Sequence, residues 1–378
     1  MLIGPGEDGE YADALIEGAR GRGAGVNPGN RFERVRLHVL GEAMDEALRE
    51  RPEGAQVATE VIEDRSRSIL NRVESPDLPM EWTINPYRGC EHGCAYCYAR
   101  PTHEALGFSS GLDFERKIVA KRDAAAVLRR ELARPGWRAQ PVMMSGVTDP
   151  YQPIEKRLGI TRACLAVMAE CRQPVGVITK NALVTRDLDL LAELASHGAA
   201  SVAVSVTTLE ASLAAKLEPR AASPARRLET IRRVAEAGVP VAVMVAPVVP
   251  ALTDHEIPRI LEAAAEAGAT RAGHVTLRLP HQVKAVFREW LAREFPDRAG
   301  HVESAVRSMH GGKLYDARWG VRGRGQDERA EQISRTFRVF ARRFGLGGAG
   351  AGLSGAAFRR PTVMEEGQFG LFGGGMEA

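Results

Sequence analysis

Three cysteines constrain this chain more than any other feature. Cys90, Cys94 and Cys97 lie within Asn85-Pro86-Tyr87-Arg88-Gly89-Cys90-Glu91-His92-Gly93-Cys94-Ala95-Tyr96-Cys97-Tyr98-Ala99-Arg100, a spacing of Cys-x3-Cys-x2-Cys on a glycine-studded stretch after an extended apolar run. Such a loop lets three thiolates converge on one small object. An iron–sulfur cubane fits, because clusters of that kind take one thiolate per iron. Three thiolates leave one iron with an open position, where a metal can do chemistry. The same residues are compatible with a zinc knuckle completed by His92, with a disulfide, or with three unrelated buried thiols. Structural zinc usually pairs two knuckles, and the sequence holds no second one.

The 378 residues are 44% hydrophobic and 26% charged, enough to bury a full core in one large α/β domain with extensions. Five cysteines, three of them in one motif, make no disulfide framework and fit a reducing compartment. Glu7, Asp8 and Glu10 stand where a signal peptide would carry apolar residues, and no apolar run approaches ~20 residues. A cytoplasmic protein without a membrane segment is expected. A net charge of +3 diagnoses no nucleic-acid partner, so the placement of charge must carry any such reading.

Residues 1–74 read as an N-terminal extension, partly flexible, because the run from Gly18 to Gly25 and Asn27-Pro28-Gly29-Asn30 are turn chemistry that packs no core. Thr59 to Leu70 mixes β-branched and charged residues and is expected to add a strand or clasp to a sheet edge. From residue 82, short apolar runs recur at 82–87, 141–146, 175–180, 200–206, 240–245 and 274–279. Segments with helical apolar spacing fall between them at 121–134, 161–171, 187–197, 225–237 and 254–267. This alternation predicts an α/β fold in which right-handed crossovers curl a parallel sheet into a partial (β/α)6 barrel of the TIM type. Residues 75–310 form its core.

Chemistry in such a barrel lies at the C-terminal ends of the strands. The cysteine loop follows the first. The second ends in Ser145-Gly146-Val147-Thr148-Asp149, whose hydroxyls and backbone groups suit a small polar ligand, although an ordinary βα turn has the same composition. Lys180 ends the third strand. Ser205 and Thr207 end the fourth, alternate with Val204 and Val206, and so point into the mouth. Arg220 is a rim cation for a carboxylate or phosphate, or else one half of a salt link at a helix start. Cys164 and Cys171 sit seven residues apart on an amphipathic helix and read as core; His274 and His281, which bracket the last strand, read as structural.

Residues 311–345 are a basic segment with interleaved aromatics: Lys313, Tyr315, Arg318, Trp319, Arg322 and Arg324, then Arg335, Phe337, Arg338, Phe340, Arg342, Arg343 and Phe344. Guanidinium groups bind phosphates and aromatic faces stack bases. Ile333, Phe337, Phe340 and Phe344 also repeat at helical spacing, which reads equally as a packing face with solvated arginines. Residues 346–378 form a flexible tail that ends near Gln368-Phe369-Gly370-Leu371-Phe372.

The cysteine spacing, with an aromatic just before the third cysteine, resembles the signature of the radical S-adenosylmethionine (SAM) superfamily. Tyr96 and Tyr98 around that cysteine, with Ser145, Lys180 and Ser205, are similar to the pattern of its spore photoproduct lyase-like, DNA-repair-photolyase-like members. The resemblance implies a [4Fe–4S] cluster on Cys90, Cys94 and Cys97, with SAM on the open iron. Around SAM it implies Tyr96, Tyr98, Ser145, Gly146, Thr148, Asp149, Lys180 and Ser205. It further implies reductive cleavage to a 5′-deoxyadenosyl radical, a flavodoxin or ferredoxin reductant, and a nucleic-acid substrate of the lesion-repair kind. One departure stands out: the lyase carries a cysteine just ahead of that serine to return a hydrogen atom, and here Met143 and Met144 occupy the stretch. A thioether has no S–H to give. Gln368, Leu371 and Phe372 resemble the peptide by which bacterial repair proteins dock on the DNA sliding clamp. The same motif also suits radical modification of tRNA, a peptide or a metabolite, or a non-catalytic iron–sulfur or zinc protein recruited to the clamp. No catalytic residue is assigned.

Overall fold

Short β-branched runs bounded by glycine, proline and polar turns set the strands. The computed structural model describes residues 14–15, 21–32, 57–77, 80–348 and 352–362. Its strands are β1 (Ala14–Leu15), β2 (Val26–Asn27), β3 (Glu60–Glu63), β4 (Leu70–Arg72), β5 (Trp82–Ile84), β6 (Tyr87–Arg88), β7 (Lys117–Ala120), β8 (Val142–Met144), β9 (Val175–Thr179), β10 (Ala200–Ser205), β11 (Val241–Val248) and β12 (Arg271–Thr276). β5, β8, β9, β10, β11 and β12 lie parallel in that order, and β4 pairs antiparallel with β5 at one edge. Each parallel step needs a crossover. Helices Ala124–Ala133, Ile160–Cys171, Leu188–Ser196, Pro224–Glu236 and Ile257–Glu266 supply them. Six strands in unbroken chain order, each returned by a helix, are the partial (β/α)6 arrangement expected from the sequence.

Strand and helix side chains close one core. Val175 and Val177 of β9, Val202 and Val204 of β10, and Val243 of β11 join Leu128, Leu165, Leu194, Ile231 and Ile260 from the helices. Each is at most 1% exposed, and such a side chain contributes roughly 2 kcal/mol on burial. Cys164 and Cys171 belong to this core. On the last helix, Glu328–Arg343, Ile333, Phe337 and Ala341 are buried while Arg335, Arg338, Arg342 and Arg343 are exposed. The packing reading of that helix therefore holds. His274 in β12 stacks on Phe337 at 4.2 Å between ring centroids.

Three expectations change. The apolar run 82–87 is two strands: Pro86 has no N–H for a ladder, and at Asn85-Pro86 the chain leaves the main sheet. β6 then joins β3 and β7 in a three-stranded sheet. Secondly, the edge strand expected from Thr59 to Leu70 is present as β4, and it moves the start of the main sheet ahead of residue 75. Thirdly, the glycine run does pack: Arg22, Ala24 and Val26 are 7%, 0% and 2% exposed. Gly23 is what admits this strap, since a Cβ there would stand 1.7 Å from the Gly93 carbonyl oxygen.

At the other end, residues 352–362 run along the base of the sheet, where the Arg359 amide donates to Cys171 O at 2.8 Å. The clamp-like peptide at Gln368, Leu371 and Phe372 lies outside the described residues. Among the described residues no helix is long and apolar enough to cross a membrane.

Candidate cofactor site

β6 delivers the cysteine loop and β7 brings the chain back beside it. Between them the loop turns through Gly89 and Gly93, with φ of 79° and 69°. A Cβ at Gly89 would lie 2.9 Å from Phe114 O, and one at Gly93 3.0 Å from Glu115 Oε2, so both places require glycine. The Cys90 amide donates to Phe114 O at 2.9 Å and the Cys97 amide to Cys94 O at 3.2 Å. Thr148 Oγ1 and Gln152 Nε2 donate to Gly89 O at 2.7 and 3.1 Å, and Gln152 Oε1 accepts from the Glu91 amide. Fully buried Arg100 donates twice to Cys94 O, at 3.1 and 2.8 Å, and pairs with Glu115. The Glu115 carboxylate also accepts from the Gly23 and Ala24 amides at 3.0 and 2.8 Å. One carboxylate thus ties strap, loop and Arg100 together.

Cys90 and Cys94 are 7% and 9% exposed, and Cys97 is half-buried. Burial pushes all three thiols up. Negative neighbours add to it: Asp149, Cys94 and Cys97 at Cys90, and Glu218 at Cys94, where Lys180 opposes. Three bare thiolates crowded here are unfavourable, and a cationic metal centre reverses that balance. The donor set therefore fits a metal–sulfur group. Among the described residues no three His, Cys, Asp or Glu side chains are close enough to share a single ion, and a cubane is a wider body than one ion. His92 has both ring nitrogens engaged, Nδ1 3.4 Å from Asp149 Oδ2 and Nε2 3.2 Å from Asn181 Nδ2.

The other expected residues sort into two groups. Thr148 and Asp149 turn their polar atoms inward: Thr148 holds Gly89, and Asp149 accepts from His92, Thr179 Oγ1 at 2.7 Å, and the Lys180 and Tyr151 amides at 2.8 and 2.9 Å. Burial opposes ionisation of Asp149, yet His92 and these donors hold its carboxyl below the usual range. Ser145 Oγ donates to Thr148 O at 3.3 Å, and Gly146, at φ 128°, brings the Val147 amide to Asn85 Oδ1. These four shape the loop's floor. Lys180, Ser205, Tyr96 and Tyr98 retain capacity for a ligand. Lys180 Nζ donates to one carbonyl, Ala246 O at 3.2 Å, and lies 6.0 Å from the Tyr96 ring centroid. The Ser205 hydroxyl, 3% exposed, has no hydrogen-bond partner among the described residues. Tyr98 is 47% exposed, with the Arg278 guanidinium over its ring at 4.9 Å.

Glu218 escaped the sequence reading. It accepts from the Tyr96 hydroxyl, from Thr207 Oγ1 at 2.6 Å and from the Arg227 guanidinium, all buried. Tyr96 lies 122 residues away, so no local pattern marks the site. Arg220, expected at the rim, pairs with Glu91 of the cysteine loop at 3.2 Å.

Open parallel strands with thiols gathered at the carboxyl end of the first define a cofactor-binding α/β protein. Residues 84–264 match the family model described as the radical SAM superfamily, and the chain belongs to that superfamily. An uncharacterized protein of Mycobacterium tuberculosis is 42% identical over 234 residues, 61% of this chain and 69% of that relative. An uncharacterized protein of Methanocaldococcus jannaschii is 27% identical over 197 residues, 52% of this chain and 71% of that one. Among solved structures, a spore photoproduct lyase variant aligns with a TM-score of 0.55 at 19% identity, covering 76% of this chain and 79% of the other. Another lyase variant, with bound AdoMet and dinucleoside spore photoproduct, gives 0.53 at 18%, covering 75% and 78%. At that identity the likeness shows the fold. Members of the superfamily use a [4Fe–4S] cluster and SAM, the cofactors this site has to hold.

Proposed function

We propose that this chain is a radical SAM enzyme acting on a nucleic-acid substrate, by hydrogen abstraction from a nucleotide in the manner of lesion repair. Cys90, Cys94 and Cys97 hold the cluster, with Arg100 and Glu115 fixing the loop behind them. The spare donors of Lys180 and the unpartnered hydroxyl of Ser205 receive the polar groups of SAM, opposite in character to the apolar wall of Leu213, Leu217 and Leu277 that keeps water out. When bound, the two cofactors supply a 5′-deoxyadenosyl radical. A flavodoxin- or ferredoxin-type protein supplies the electron. The sheet from β4 onward, through residue 310, forms the catalytic core, and Trp319 of the basic segment faces the substrate.

One observation carries the substrate reading: the basic, aromatic stretch is docked against the carboxyl end of β12. Gly323 O accepts from the Thr276 amide at 3.0 Å at the end of β12, while the Gly320 amide and Arg322 Nε donate to Asp77 at 2.8 and 2.6 Å. The shared fold of a lyase solved with a dinucleoside photoproduct supports the same choice. Met143 and Met144, 5% and 0% exposed, offer no S–H, so hydrogen return by a strand-end thiol is not part of this reading.

Anaerobic reconstitution tests the enzyme. Wild type is expected to bind about four irons and to release 5′-deoxyadenosine from SAM under reductant. Cys94→Ala is expected to lose the visible absorbance and at least 90% of that release, roughly tenfold or more. A colourless Cys94→Ala protein that still cleaves SAM at the wild-type rate sinks the assignment.

A further inference from the structure

Two arginines of the neighbouring loop are neutralised. Arg322 pairs with Asp77 at 2.6 Å and Arg318 with Asp316 at 2.6 Å. The side chain of Arg278, like that of Arg324, forms neither an ion pair nor a hydrogen bond among the described residues, but unlike Arg324 its Nε is buried without a partner. It follows the end of β12 by two residues, on the rim where the cysteine loop also emerges. A half-buried guanidinium with nothing to donate to is a vacancy for an anion.

The surroundings say which anion. The Arg278 guanidinium lies over the ring of Tyr98, the residue after the third cysteine, and its Cδ is next to Gly323, where a Cβ would be 3.9 Å away. Three residues before Arg322, Trp319 presents its ring, 52% exposed, with the Arg322 guanidinium 3.7 Å from its centroid. Tyr98 and Trp319 are two of only four large apolar side chains left exposed among the described residues. Arg322 is clamped by Asp77 and by Ser75 Oγ at 2.8 Å, so the indole is backed by a fixed plane while half of the side chain stays exposed. An unsatisfied guanidinium over Tyr98, with an exposed indole four residues before the Gly323 that meets its stem, matches a nucleotide unit, the base on the indole and the phosphate on the cation. Paired bases have both faces covered by their neighbours in the stack. An open indole therefore selects a base that is unpaired or turned out of the duplex.

Resting on the nucleic-acid reading above, we propose that Arg278, Trp319 and Tyr98 form a subsite for one unpaired nucleotide at the edge of the cofactor mouth, Arg278 taking the phosphate and Trp319 stacking the base. The subsite admits single strands and everted nucleotides and rejects intact duplex.

Fluorescence anisotropy with the anaerobically reconstituted full chain tests this, using a labelled single strand of about a dozen nucleotides and its duplex across a KCl series. Wild type is expected to favour the single strand. Trp319→Ala is expected to weaken that binding about tenfold with an unchanged salt slope, and Trp319→Phe to keep most of it. Arg278→Gln is expected to lower the slope of log K against log salt by about 0.7, one phosphate contact, and Arg278→Lys to restore it. Arg318→Gln, whose cation already has Asp316, should change neither. Iron content and thermal midpoint equal to wild type establish that each variant is folded. Wild-type affinity and slope in Trp319→Ala and Arg278→Gln, or duplex bound as tightly as single strand, overturn the subsite while leaving the nucleic-acid reading intact. Failure of the wild type to bind any strand, or its displacement from one by an acidic peptide at equal concentration, removes that reading and the subsite with it.

Discussion

Burial opposes the ionisation of Glu218, but the Arg227 guanidinium, then Lys180 and the hydroxyls of Thr207 and Tyr96, prevail and hold its carboxyl down to about 2. Arg227 is 1% exposed, so the two charges stand or fall together. Glu218→Gln keeps the shape and removes the charge, leaving a buried guanidinium without its counterion, a change that costs about 3–5 kcal/mol. Chemical denaturation should show that loss, and Glu218→Gln with Arg227→Met should lose less than the sum of the two single variants. An additive double variant would mean the pair does not act as one unit. The thiols next door were legible because three like residues within eight positions form a local pattern. Glu218 was not, because its partners Tyr96, Thr207 and Arg227 meet it only in the folded chain.

At the level of elements, periodicity carried the helices and most strands, since alternation of apolar and polar residues is read along the chain. It failed at two places, for one reason. Asn85-Pro86 divides an apolar run that looks continuous, and the strap at 21–32 has the composition of a linker. In both cases the deciding partner is distant: β7 for β6, and the Glu115 carboxylate for the amides of Gly23 and Ala24. Turn residues are flexible only where nothing receives their backbone groups. Gly23→Ala should therefore unseat the strap, since its Cβ cannot stand 1.7 Å from Gly93 O, and the cysteine loop would lose a wall. Gly29→Ala is the control, as no atom lies within 4 Å of a Cβ there. Trypsin should cleave Gly23→Ala after Arg22 at least about tenfold faster than wild type, and its iron content after reconstitution should fall. Equal cleavage and equal iron in the two variants would show that the strap is not seated as described.

For the whole molecule, the groups that titrate against the fold sit on different elements and share no partner, so their effects on stability add. His103 is fully buried and pushed down to about 4, chiefly by burial and further by Lys117 and Arg100, against the Lys117 carbonyl and Asp113, which favour its charged form. Burial, with Arg324 and Arg338, brings His274 to about 4 as well. In the unfolded chain both titrate near 6.5. A histidine whose pKa is depressed by folding contributes stability that is complete above the unfolded value and is lost as pH falls toward the folded one. Between about pH 6.5 and about pH 4 the unfolded chain thus takes up protons on both rings that the fold refuses, with His281 and His310, also lowered chiefly by burial, adding to them, and His103 alone accounts for on the order of 3 kcal/mol. Glu218, depressed from 4.5 to about 2, begins its loss as pH falls through about 4.5 and completes it near 2, so most of it comes after the histidines. Denaturation of the reconstituted protein across these pH values should show two stages. His103→Gln, which can still donate to Lys117 O, should remove a part of the first slope worth on the order of 3 kcal/mol and none of the second. A His103→Gln curve parallel to wild type from about pH 6.5 to about pH 4 would mean that this ring is solvated and charged in the native state, and that the helix and loop around it are not packed as tightly as Phe108 and Phe114, at 5.4 and 5.3 Å, require.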